Sequence, residues 1–124
     1  MCGIVGFTGE KPCAVSVLME GLRNLEYRGY DSAGVSYFDP QGTLTTVKTQ
    51  GRLDRLQAKL DQTQPQSRCG IGHTRWATHG EPSDLNAHPL FTEKVSLVHN
   101  GIIENYLELR QFLTEKGYTF ATQT

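Results

Sequence analysis

Met1-Cys2-Gly3-Ile4-Val5-Gly6-Phe7 opens the chain. Ile4, Val5 and Phe7 read as a short buried strand over residues 2–7, closed by turn residues at 8–12 that include Gly9 and Pro12. Cys2 then stands at the tip of the first core strand. A small second residue lets the initiator methionine be removed, which would put a thiol and a free α-amine on one residue. A base near neutrality that can collect a thiol proton is what nucleophilic catalysis needs. Gly3 and Gly6 add no bulk, so a ligand or a second backbone can come close. From this stretch alone two readings stand open: a nucleophile, or an incidental cysteine behaving as a small hydrophobe.

Working outward, Val15, Leu18, Met19, Leu22 and Leu25 recur at helical spacing and predict an amphipathic helix over 13–24. Residues 28–32 read as polar loop. Residues 35–38 and 44–49 read as a hairpin about Asp39-Pro40-Gln41-Gly42. Leu53, Leu56 and Leu60 predict a short helix over 53–60, with Arg52, Arg55 and Lys59 on its solvated face. A strand is expected over 69–74, running into a long loop over 75–89, and another over 95–98. Asn100-Gly101 signals a tight turn. Tyr106, Leu109 and Leu113 form one stripe of a helix over 104–116, with Gly117 as its stop. Residues 118–120 read as the opening of a further strand. Helices and strands mixed with a hairpin give an α+β class.

Composition bounds the function. The 124 residues carry 37% hydrophobic and 20% charged side chains and a net charge of −1. These values suit one globular domain and give no electrostatic footprint for nucleic acid or anionic lipid. No apolar run approaches the roughly 20 residues of a membrane span. The N-terminus lacks the basic and apolar regions of a signal peptide, so a cytoplasmic location is the default expectation. Cys2, Cys13 and Cys69 are an odd set without a framework spacing, against a disulfide scaffold. The chain stops at Thr122-Gln123-Thr124 without a closing element, which predicts that it is part of a longer protein.

Three constellations could carry chemistry. Gly72-His73-Thr74-Arg75-Trp76-Ala77-Thr78-His79-Gly80 packs two His, an Arg, a Trp and two Thr between glycines. An Arg fork grips a carboxylate in two places, a contact worth roughly 1.5–3 kcal/mol. Thr and His add donors, and Trp can cover a small ligand; the bland alternative is a surface loop with a structural Trp. In Val98-His99-Asn100-Gly101-Ile102, the Asn amide and the Gly N–H can together form an oxyanion hole, where losing one donor commonly costs about 10²–10³ in rate. A plain turn is the alternative. Tyr27-Arg28-Gly29-Tyr30-Asp31-Ser32-Ala33-Gly34 reads as an ordered loop in which Arg28 and Asp31 can pair. Neither His73, His79, His88 and His99 nor Cys69 stands at a common zinc spacing, and no phosphate-binding loop is present. No metal and no cofactor are expected.

Together these motifs, with Asn86-Ala87-His88-Pro89 and His99-Asn100-Gly101-Ile102-Ile103-Glu104-Asn105, resemble the glutaminase domain of the glutamine–fructose-6-phosphate aminotransferases. These belong to the wider N-terminal-nucleophile (class II) amidotransferases. The resemblance covers the whole chain, and Tyr30 and Trp76-Ala77-Thr78-His79 favour the hexosamine branch over the purine-synthesis one. It implies an αββα four-layer sandwich, of which residues 1–124 would be an incomplete part, with the sugar-isomerase domains absent. It implies Cys2 as catalytic nucleophile, with Asn100 and Gly101 as the oxyanion hole. Arg75, Trp76, Thr78 and His79 would bind substrate, Arg75 holding the glutamine α-carboxylate and Trp76 closing the site. An aspartate for the substrate amine would lie just beyond Thr124. Glutamine is the implied substrate, and fructose 6-phosphate the acceptor through the absent domains of a homo-oligomeric parent. The alternatives are another N-terminal-Cys amidase or an inactive binding remnant.

Overall fold

Leucines at helical spacing build the first layer. Helix α1 (Ala14–Asn24) buries Ala14, Val15, Leu18, Met19 and Leu22, and α2 (Leu53–Asp61) buries Leu53, Leu56 and Leu60. The computed structural model describes residues 1–124 and lays both stripes on one face of a four-stranded antiparallel sheet. Its strands are β1 (Gly3–Thr8), β2 (Ser32–Phe38), β3 (Leu44–Gln50) and β4 (Cys69–Arg75), in the order β1-β4-β2-β3. Ala33, Val35 and Tyr37 of β2 enter the leucine core. Each fully buried leucine is worth about 1.5–3 kcal/mol.

The opposite face of the sheet is covered by a polar segment. There β5 (Leu90–Phe91) and β6 (Ser96–Leu97) pair as a two-stranded ribbon, and Ser96 Oγ donates to Ser36 Oγ at 2.6 Å. A β-carbon on Gly34 would lie 2.3 Å from the His88 carbonyl oxygen, so no other residue fits there without moving that segment. The loop leading into it is pinned by β3 and α2. Lys48 Nζ donates to the Leu85 and Ala87 carbonyls at 2.9 and 2.7 Å. Asp84 accepts from the Gln50 N–H at 2.5 Å and pairs with Lys59 at 3.0 Å.

The α+β class stands, while several elements differ from expectation. Strand β2 begins at Ser32 rather than Val35. Its small residues Ser32, Ala33 and Gly34 carry little strand signal and are extended because both faces of the sheet are covered there. Strand β1 is an edge with Ile4 46% exposed, so its burial is confined to the side of Val5 and Phe7. The strand expected over 95–98 shrinks to Ser96–Leu97, and residues 118–120 form none. Helix α3 (Tyr106–Glu115) forms but buries no residue. It ends at Gly117 (φ 89°), where the Tyr118 and Gly117 N–H groups donate to the Leu113 and Thr114 carbonyls. No helix is long and apolar enough to cross a membrane.

Candidate active site

The site forms where β1 begins and β4 ends. Gly3 lies opposite Thr74, which brings Cys2 beside the residues that follow β4. A cleft of about 900 Å³ opens there, and Cys2, Arg75, Trp76, Thr78, His79, Asn100 and Gly101 all line it. The Trp76 N–H donates to Cys2 Sγ at 3.2 Å. Asp31 fixes the chain on both sides of Trp76: its N–H donates to the Arg75 carbonyl at 2.7 Å, and its Oδ2 accepts from the Ala77 N–H at 2.5 Å. The expected Arg28–Asp31 pair does not form, because Arg28 turns instead to the Met1 sulfur. The amine of Met1 donates to the Arg28 and Gly29 carbonyls at 3.1 and 3.3 Å. Of the two glycines flanking the first strand residues, only Gly3 is crowded, since a β-carbon there would meet Leu25 at 2.6 Å; Gly6 faces open space.

Arg75 is 4% exposed. Its guanidinium donates to the His79 carbonyl, and to those of Gly80 at 3.2 Å and Glu81 at 3.5 Å. Much of its fork therefore shapes the loop that carries Thr78 and His79, both of which are exposed at the rim. The two side chains lie 3.4 Å apart, and the His79 ring meets Tyr106 edge-on at 5.6 Å. Trp76 is half exposed, and its ring lies against the backbone of Gly29.

Asn100 and Gly101 form the far wall. Asn100 Oδ1 lies 2.6 Å from His73 Nε2. Within the chain neither the Asn100 Nδ2 group nor the Gly101 N–H has an acceptor, so these donors are free for a ligand. His73 is wholly buried and stacks on His88 with ring centres 4.6 Å apart. His88 Nδ1 accepts from the His99 N–H at 3.3 Å. Burial pushes the His88 pKa down to about 3, helped by neighbouring His73 and Arg75. It pushes His73 down as well, with Arg75 and His99 acting in the same sense and the Asn100 bond opposing them. Both rings are therefore neutral near pH 7.

No family model matches the chain, but individual relatives do. The glutamine–fructose-6-phosphate aminotransferase [isomerizing] of Clostridium tetani is 57% identical over 126 aligned residues, covering all of this chain and 20% of that protein. Those of Clostridium acetobutylicum and Thermus thermophilus are 56% and 53% identical with the same coverage. Over its whole length the chain is similar to the N-terminal region of these aminotransferases. It spans about a fifth of the length of the curated relatives it matches, and corresponds to their N-terminal region. A solved glutamine phosphoribosylpyrophosphate amidotransferase from B. subtilis, complexed with ADP and GMP, matches all of this chain and 27% of its own. The TM-score is 0.82 at 29% identity.

This similarity agrees with the long motifs, but three residues of the site carry weaker signals. The sequence offers His73 as a donor of the 72–80 motif and as a metal ligand, whereas the structure sets it against Asn100. Strand periodicity could have found it: His73 and Arg75, two apart on β4, share one face. Asp31 was read as an orderer without a target, and the target is the backbone around Trp76. His88 sits under a motif whose function the sequence left open. No group of three or more His, Cys, Asp or Glu side chains is arranged to hold a metal ion.

Proposed function

We propose that residues 1–124 are the N-terminal part of a glutaminase domain that hydrolyses the side-chain amide of glutamine through Cys2. In the longer protein the ammonia would pass to fructose 6-phosphate, giving glucosamine 6-phosphate. The observation that carries this reading is the convergence on one cleft of a thiol, two unpaired donors and a buried arginine. Glutamine offers groups to match: the thiol and the Asn100–Gly101 donors suit its amide, and Arg75 suits its α-carboxylate.

The chemistry starts once Met1 is gone. The freed Cys2 α-amine takes the thiol proton, and the thiolate attacks the amide carbon. Negative charge moves onto the former carbonyl oxygen, where Asn100 Nδ2 and the Gly101 N–H are placed to donate. The C–N bond breaks as the amine returns the proton, releasing ammonia and leaving a γ-glutamyl thioester. Water, activated by the same amine, attacks the thioester, and glutamate leaves with the thiol restored. Retained Met1 would replace the base by an amide nitrogen, so processing is a condition of activity.

Two measurements on the full-length protein test this. Its mass is expected to be lower by one methionine. The Cys2→Ala variant is expected to lose glutamine hydrolysis by roughly 10⁴-fold or more, while Cys13→Ala and Cys69→Ala keep it. Turnover at the normal rate in Cys2→Ala would defeat the proposal. A panel of other acyl amides separates glutamine from the wider amidase reading, which gives Arg75 no carboxylate to hold.

A further inference from the structure

We infer that His73 is a positioning residue: its Nε2–H holds the side-chain amide of Asn100 so that the Nδ2 donors face the cleft beside Cys2. This rests on the reading of Asn100 as an oxyanion donor. A primary amide is two-sided, and turning it by half a revolution exchanges two donors for an acceptor. The wrong orientation would present an oxygen to the developing oxyanion. Asn100 sits exposed in the irregular segment that follows β6, and its side chain makes a single hydrogen bond within the chain, to His73 at 2.6 Å. That one contact therefore decides which end faces substrate.

The partner is buried, and its surroundings favour the tautomer that donates from Nε2. The His73 ring has no exposed surface and lies on His88, with 26° between the planes. Its Nδ1 has no hydrogen-bond partner. A proton on Nδ1 would bury an unpaired N–H and set the Nε2 lone pair against the Asn100 oxygen. A proton on Nε2 makes the bond to Asn100 and leaves only a lone pair unpaired, the lesser cost. Arg75, His99 and His88 are the ionisable groups around the ring. Burial, Arg75 and His99 each oppose a second proton, and only the Asn100 bond favours one.

The unaltered full-length protein gives the first test. Nitrogen NMR of labelled histidine should report His73 as the neutral Nε2–H tautomer across about pH 6–8, the range in which ordinary histidines titrate. An Nδ1–H tautomer, or titration in that range, overturns the inference whatever the variants do.

Kinetics supply the second test. Methionine at position 73 keeps the bulk without the donor, and glutamine restores an N–H at similar reach. His73→Met is expected to lower kcat for glutamine hydrolysis about 10²-fold, with KM and Cys2 alkylation changed less than about twofold. His73→Gln should regain at least about tenfold of that loss. Adding His73→Met to Asn100→Ala should cost nothing beyond Asn100→Ala alone, since both remove the same contact. If Asn100→Ala itself keeps full kcat, the oxyanion reading fails and this inference with it. If Asn100→Ala is slow but His73→Met is not, or if their losses multiply, only the positioning role fails. Should His73→Met fail to fold, the tautomer measurement and the activity of His73→Gln decide the matter.

Discussion

Along β2, Ala33, Val35 and Tyr37 point into leucines, while Ser32, Gly34 and Ser36 point at the polar segment over residues 84–98. The same division runs through the sheet. On the helix side the neighbours are Leu18, Leu22 and Leu56. On the other side they are His73, His88 and Arg75, all buried and polar. One face is cohesive because apolar area leaves water. The other is specific because each buried polar group must find its partner. The proposed chemistry sits on the second face, and the first packs the strands beneath it.

This contrast can be broken from either side. Leu22→Ala, on the helix face, is expected to cost about 2–5 kcal/mol of stability by opening a cavity. Molecules that remain folded should keep their glutamine KM, as urea unfolding and steady-state kinetics together would report. A raised KM would mean that the faces are coupled. On the site face, Arg75→Ala is expected to raise the glutamine KM about ten- to a hundred-fold. The fork also holds the carbonyls of residues 79–81, so a looser loop over these residues should accompany the loss, read by proteolysis. An unchanged KM with lowered kcat would remove Arg75 from carboxylate binding. Gly34→Ala pushes a methyl group at the His88 carbonyl and should cost about 1–3 kcal/mol, displacing the His88 side of the site rather than the leucine core.

The gentlest probe is acid. Below about pH 6.5 the unfolded chain takes up a proton at His88, which the folded chain resists down to about pH 3. Folded stability therefore falls as pH drops through that window, by about 1.4 kcal/mol per unit. His73, also lowered, adds to the same trend. His88→Gln should flatten the acid limb measured by unfolding at successive pH values; an unchanged limb would place its origin elsewhere.

How much could be read beforehand follows the same division. Leucines spaced for helices at 18, 22, 53, 56 and 60 announced the cohesive face, because periodicity is a local signal. Cys2, Arg75, Asn100 and Gly101 were legible as a set because they stand in long motifs. The His73–Asn100 contact spans 27 positions and the Asp31–Ala77 contact 46, and nothing local encodes either. Ser32 and Gly34 were mistaken for loop because their extension is imposed by what lies above them. Helix α3 was foreseen from Tyr106, Leu109 and Leu113, yet its stripe finds no covering surface within these residues. Propensity predicts a helix without predicting its neighbour.

The register of β1 has a consequence in time. Its one pairing partner is β4, more than sixty positions later. On a ribosome adding about 5–20 residues per second, some seconds separate the emergence of the two strands. During that interval the residues of β1 hang unpaired. Any peptidase that trims the leading methionine meets an extended substrate before the sheet closes. A late-arriving partner strand thus leaves an early window for maturation, set by nothing more than the order of strands in the chain.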